Sequence, residues 1–164
     1  MPTAAVITVS DSRSKGGAPD TGGPLAEEEL RALGFEVTRR QVVPDEISAI
    51  RGAVSACRDA VDVIVTTGGT GVAPRDVTPE AVTPLCDRLL PGFGEIMRTG
   101  SFSKTPLSII SRGGAGVIGR TLVVMLPGSP KGVKDCLQLV GPAMKHVVKA
   151  LAGQPMNCQG QPMI

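Results

Sequence analysis

The sequence predicts an α/β fold: a mainly parallel sheet covered by helices on both faces, with an antiparallel hairpin at one edge. Three observations carry this expectation. Short apolar, β-branched runs alternate with longer segments whose apolar residues recur at three- and four-residue spacing. The runs are continuously apolar, as in strands buried on both faces. Late in the chain, Gly119-Arg120 offers a hairpin turn between two such runs.

In order, Ala4–Val9 reads as the first buried strand and SDSRSKGGAPDTGG as a polar loop. Pro24 marks a helix start, with Glu27, Glu28 and Glu29 in the early turns and Gly34 as its stop. Phe35–Val43 is extended. Pro44-Asp45 opens a helix with Ile47, Ile50, Val54 and Cys57 on one face. Val63–Val65 is a strand, and Thr78-Pro79-Glu80 a helix start with Thr78 as N-cap. GFGEIMRTGS reads as a short connecting segment, and PLSIISRGGAGVIGRTLVVM as two or three extended pieces broken by glycines. Ser129-Pro130 caps the last helix, which Gly141-Pro142 should kink. Residues 1–152 are expected to form one domain and residues 153–164 a loose tail.

Composition narrows the function. A net charge of +2 exerts no broad pull on nucleic acid, and three Phe with no Trp or Tyr leave few rings for stacking bases. Cys57, Cys86, Cys136 and Cys158 contain no CxxC pair, and one histidine argues against a structural zinc site. No apolar run approaches the roughly 18 residues a membrane span needs. Reduced thiols and a short, non-basic N-terminus fit a cytoplasmic protein.

The candidate site begins at Asp62–Glu80, DVIVTTGGTGVAPRDVTPE. A strand here runs through Thr66 and Thr67 into Gly68, Gly69, Thr70 and Gly71, glycines whose missing Cβ atoms let main-chain N–H groups converge on an anion. Asp76 follows where a carboxylate could reach a metal ion, or could simply organise a turn. Asp45 is open in the same way, as a site carboxylate or as an N-cap. Gly128 and Ser129 sit at a helix N-terminus, suited both to anion binding and to capping. Ser10, in SDS, also follows a strand; in parallel sheets ligands bind beyond those ends, so one composite site is expected. Ser101, Ser111 and Arg112 add donors in loops, or are simply solvated at the surface.

Gly114-Ala115-Gly116-Val117-Ile118-Gly119 matches GxGxxG, with Asp135 downstream, but its last glycine leads into a strand-like run instead of opening a helix. A nicotinamide site is therefore not expected, and no GxxxxGK[ST] loop occurs. His146 reads as a solvated helix residue.

In order, TVSDS, VVPDE, TTGGTGVAPRDVTPEAV, PGFGEIMR, SR and LPGSPKGVKDC resemble the molybdopterin adenylyltransferase family of MogA, MoaB and the gephyrin G domain. The resemblance extends from Val6 to about Leu151. It implies a three-layer α/β/α fold of the MoaB/Mog type, usually trimeric, that joins molybdopterin to AMP from Mg-ATP and releases pyrophosphate. Carried over by position, Asp45 and Asp76 would be catalytic and hold Mg2+. Thr67–Gly71 with Gly128 and Ser129 would bind nucleotide, and Ser10, Asp11, Ser101, Ser111 and Arg112 would face molybdopterin. A molybdenum-insertion protein would act downstream. Met125 departs from the pattern, since several relatives carry Asn there and a thioether cannot supply an amide's donor. A pterin-binding module without transfer activity and a competence-damage-like nucleotide pyrophosphatase are the competing expectations.

Overall fold

The computed structural model describes residues 1–155. Strands β1 (Thr3–Val9), β2 (Glu36–Val43), β3 (Val63–Thr67), β4 (Arg88–Leu89), β5 (Gly114–Ile118) and β6 (Thr121–Leu126) alternate with helices α1 (Asp11–Ser14), α2 (Gly22–Ala32), α3 (Ile47–Cys57), α4 (Thr78–Val82), α5 (Pro91–Ser101) and α6 (Pro130–Leu151). The strands form one sheet in the order β2-β1-β3-β6-β5-β4. β2, β1, β3 and β6 run parallel, while β5 returns antiparallel to β6 through Gly119-Arg120 and pairs with β4 at the edge. This is the expected sheet and edge hairpin.

Period-two alternation divides the strand side chains between two cores. Val6, Val63, Val65, Leu122 and Val124 pack beneath α2, α5 and α6 with Leu30, Phe93, Leu137 and Met144. Ile7, Ile64, Val123 and Met125 pack beneath α3 and α4 with Ile50, Val54, Ala81 and Val82. Both faces are thus covered, which is why the strands read as unbroken apolar runs. The chain leaves β1 for β2 on one side and reaches β3 on the other. That reversal opens a crevice at the carboxyl ends of β1 and β3, where open α/β sheets bind ligands.

The structure departs from the sequence reading at several places. GFGEIMRTGS belongs to α5, an 11-residue helix that Pro91 starts and that buries Phe93, Met97 and Ser101 at four-residue spacing; its three glycines mask this periodicity. Pro106–Ile110 is a 3-10 helix, not an extended piece. The polar loop after β1 contains the single turn α1, whose Ser10 cap accepts from the Arg13 N–H. Neither Thr78 nor Asp45 caps a helix, because both side chains are engaged elsewhere. The last helix is continuous through Pro142, and Ser129 does cap it, accepting from the Gly132 N–H. Among the described residues, no helix is long and apolar enough to cross a membrane. Most of the expected tail, with Cys158, lies outside the described residues.

Candidate functional site

The glycine loop owes its shape to four neighbours. Gly68 has φ +94°, and a Cβ there would strike the Val9 carbonyl at the end of β1. Its N–H donates to the Leu126 carbonyl at 3.1 Å, stitching β3 to the end of β6. Gly69, at φ +67°, leaves room for the Thr78 hydroxyl, which donates to the Gly68 carbonyl at 2.9 Å. The Thr78 N–H donates to the Gly69 carbonyl at 3.0 Å, so two bonds tie the start of α4 to the loop. Arg112 braces the loop from the other side. Its guanidinium donates to the Gly71 carbonyl at 2.8 Å and the Asp76 carbonyl at 2.7 Å, and pairs with Glu80. Fixed loop dipoles need little reorganisation when an anion arrives.

Asp11 and Asp45 exchange backbone hydrogen bonds: the Asp11 N–H donates to Asp45 Oδ2 at 2.8 Å, and the Asp45 N–H donates to Asp11 Oδ1 at 3.0 Å. The loop after β1 is thereby locked to the loop after β2. Arg75 grips Asp11 with two bonds of 2.9 and 2.8 Å, which hold the Asp11 carboxyl below its usual range. Burial raises the Asp45 carboxyl above its usual range, and the nearby charges of Asp11 and Asp76 add to that rise. Asp76 Oδ2 accepts from the Ala73 N–H at 3.0 Å, so this side chain does organise a turn, with its other oxygen unused. Asp45 Oδ1 is likewise outside the chain's own hydrogen bonds.

Two chambers meet at the glycine loop. The smaller, about 210 Å3, is polar and is lined by Ser10, Asp45, Thr67 and Arg13. The larger, about 540 Å3, is lined by Thr70, Gly71, Ser101, Ser111 and Ser129, with Met97, Leu107 and Ile110 as apolar wall. Gly68, Gly69, Asp76 and Gly128 border both. The structure does not bring Asp11 or Arg112 into either lining; the first locks Asp45 and the second braces the loop.

Residues that the sequence does not mark for the site also line the larger chamber: Arg98, Thr105, Lys131, Asp135 and Cys136. Lys131 and Asp135 follow the PGSP turn at four-residue spacing, a helical signal pointing to the same wall. Arg98 donates to the Ser111 and Gly113 carbonyls at 3.3 and 2.8 Å, holding the loop before β5. Burial pushes the Cys136 thiol up to about 11, so it is neutral at physiological pH and no nucleophile. Ser101 is 5% exposed, and its hydroxyl lies beside the Cys136 thiol with no nitrogen or oxygen partner among the described residues. Met125 lines neither chamber. Its side chain is 4% exposed in the core beneath α3 and α4, so the thioether there leaves the site's lining untouched.

The family model described as "probable molybdopterin binding domain" matches residues 5–146. The chain is 40% identical over 159 residues to the molybdopterin adenylyltransferase of Helicobacter pylori strain J99, covering 93% of this chain and 89% of that protein. The crystal structure of the molybdopterin biosynthesis enzyme MoaB from Thermus thermophilus matches with a TM-score of 0.88 at 43% identity, over 96% of this chain and 100% of that one. The tungsten cofactor synthesizing protein MoaB from Pyrococcus furiosus matches at 0.81 and 38%, over 92% and 97%.

Proposed function

The chain belongs to the molybdopterin adenylyltransferase family, and from that premise we propose that it transfers AMP from ATP to molybdopterin, releasing pyrophosphate. One observation carries this reading: Gly68, Gly69, Asp76 and Gly128 form the wall common to a polar acidic chamber and a larger, partly apolar one. A phosphate joining a polyphosphate to a flat organic group belongs at such a junction.

A phosphate oxygen of molybdopterin attacks the α-phosphorus of ATP; that P–O bond forms as the α–β P–O bond breaks, and its electron pair leaves with pyrophosphate. The attacking group is already an anion, so no protein nucleophile or base is required. Positioning and charge stabilisation do the work. The loop amides of Gly69, Thr70 and Gly71 face the phosphates, the Gly68 N–H being held by the Leu126 carbonyl, and the N-terminus of α6, with Ser129, closes the far wall. Hydrogen bonds to charged groups contribute about 1.5–3 kcal/mol each, so a few convergent amides outweigh the small net charge of the chain.

The residues fit Mg2+. Asp45 and Asp76 each keep one carboxylate oxygen outside the chain's own hydrogen bonds and border the same chamber. Among the described residues no group of three or more His, Cys, Asp or Glu could by itself enclose a metal. Magnesium characteristically binds through one or two carboxylates, with water and substrate phosphates completing its shell. When bound it would neutralise charge on the polyphosphate and on departing pyrophosphate. Asp11 and Arg75 hold Asp45 in place for that role. As in the family, the protein is proposed to act as a cytoplasmic homotrimer that passes its product to a molybdenum-insertion protein; exposed Phe102, Leu107 and Ile109 offer apolar surface for a neighbouring copy.

Incubation with Mg-ATP, with and without molybdopterin, tests the reaction. The expected product is adenylyl-molybdopterin, with pyrophosphate release strictly dependent on the pterin. Equal pyrophosphate release without pterin would instead establish a pyrophosphatase. Asp76→Asn should reduce turnover at least ~100-fold, a loss typical of removing one key electrostatic group, while its thermal midpoint stays near that of the parent. Unchanged turnover would remove Asp76 from the site.

A further inference from the structure

The larger chamber is too roomy and too apolar to serve a phosphate chain alone, and α6 places a partly buried carboxylate in its wall. Resting on the molybdopterin reading above, we propose that Asp135, with Ser101 beside it, reads the pyrimidine edge of the pterin and so determines substrate specificity. Asp135 lies five residues into α6 from Pro130, about 7–8 Å along the axis from the helix start. The glycine loop, Asp135, Met97 and Ile110 line this one chamber, so a phosphate at the loop and a flat bicyclic ring against this carboxylate would share it.

The chemistry matches group by group. A pterin presents two adjacent donors, N3–H and the 2-amino group, and one acceptor, O4, next to N3. The Asp135 side chain is 13% exposed, and its one contact with a cation is a 3.3 Å bond from Lys104 to Oδ1. Two parallel donors suit a carboxylate, as a guanidinium fork does. The Ser101 hydroxyl, enclosed in the same wall with only the weakly accepting Cys136 thiol beside it among the described residues, supplies the donor for O4. A hydroxyl that meets only a thiol in the free protein is expected where the ligand completes the network. Cys136, held neutral beside Ser101, brings no competing charge.

The test titrates the intact chain with 6-hydroxymethylpterin and with 6-hydroxymethyl-lumazine, whose 2-oxo group replaces the amino donor. The parent should bind the pterin at least ~10-fold more tightly, the value of one hydrogen bond to a charged group. Asp135→Asn should bring the two affinities within about twofold while leaving the thermal shift by Mg-ATP unchanged, which also shows that the variant is folded. Ser101→Ala should weaken both compounds alike and preserve their ratio, because both carry O4. A parent indifferent to the 2-substituent, or an Asp135→Asn variant that keeps the parent's ratio, would overturn the assignment. AMP transfer to molybdopterin, measured on the same preparations, separates the two readings. Transfer with an unmoved ratio sinks the pterin-edge role alone, and pterin selectivity without transfer upholds that role and sinks the transferase reading.

Discussion

Asp45 carries its negative charge at a cost, because burial and the neighbouring charges of Asp11 and Asp76 all favour its protonated form. A carboxyl whose folded pKa lies above its unfolded value of 3.8 binds more protons in the native state between those two values. Stability therefore falls as pH rises through that window and stays lowered above it. Asp45→Asn removes this dependence while its side-chain carbonyl can still accept from the Asp11 N–H. The variant should be slightly more stable at neutral pH, a gain that solvent screening of this partly exposed group keeps well below ~1 kcal/mol, and lose turnover. Thermal scans from about pH 3.5 to about pH 7 check this: the parent's stability relative to the variant's should fall as pH rises, and a less stable variant at neutral pH would contradict the account. Such an exchange of stability against function is usual where a site concentrates like charge. Asp11 behaves oppositely. Its Arg75 pairing lowers its pKa, so that pairing supports the fold above the unfolded value and is lost as pH falls below it.

The glycine loop works as an element because strand ends and a helix start hold it from several sides. Its most demanding position is Gly68, where a positive φ coincides with contact against the Val9 carbonyl. Gly68→Ala meets both obstacles and should cost about 2–3 kcal/mol, measured as a lower urea midpoint with turnover lost. Gly92, in the first turn of α5 with open space around its Cβ position, is the control. Gly92→Ala should be neutral or slightly stabilising, since Ala is the better helix former. A Gly68→Ala protein as stable as the parent would show that the loop is far less constrained. Helix α5 also shows how an element can hide: with glycines at three of its positions the apolar face thins to Phe93 and Met97, yet both are buried beneath the sheet.

At the scale of the whole molecule, the two cores on opposite faces of the sheet fix the strand ends, and the reversal of strand order between β1 and β3 turns those ends into one cleft. Ligands that bind only this assembled cleft must stabilise the fold. Mg-ATP at about 100 times its dissociation constant should add about 2.7 kcal/mol, which for a chain of this size raises the thermal midpoint by roughly 5–10 °C. EDTA should abolish the shift produced by ATP and leave the midpoint of the ligand-free chain unchanged, because the described residues contain no group able to hold a metal without substrate. A drop in that midpoint with EDTA would reveal a resident structural ion.

The strands other than the two-residue β4, the edge hairpin, the long capped helix and the glycine loop were legible in the amino-acid sequence, because each depends on local physics: β-branched apolar runs, helical spacing, and residues that permit positive φ or cap a helix. The carboxylates Asp45 and Asp76 were legible as candidates only through their places after strands. Their contacts were not: Asp45 is met by the Asp11 backbone, Thr78 bonds a glycine carbonyl instead of capping α4, and Arg112 braces the loop from outside the cavity. Asp135 was equally invisible in its setting, since its place in the wall depends on α6 packing against α5. Residues far apart along the chain become neighbours only when the sheet is assembled, and no local preference encodes which donor will meet which acceptor there.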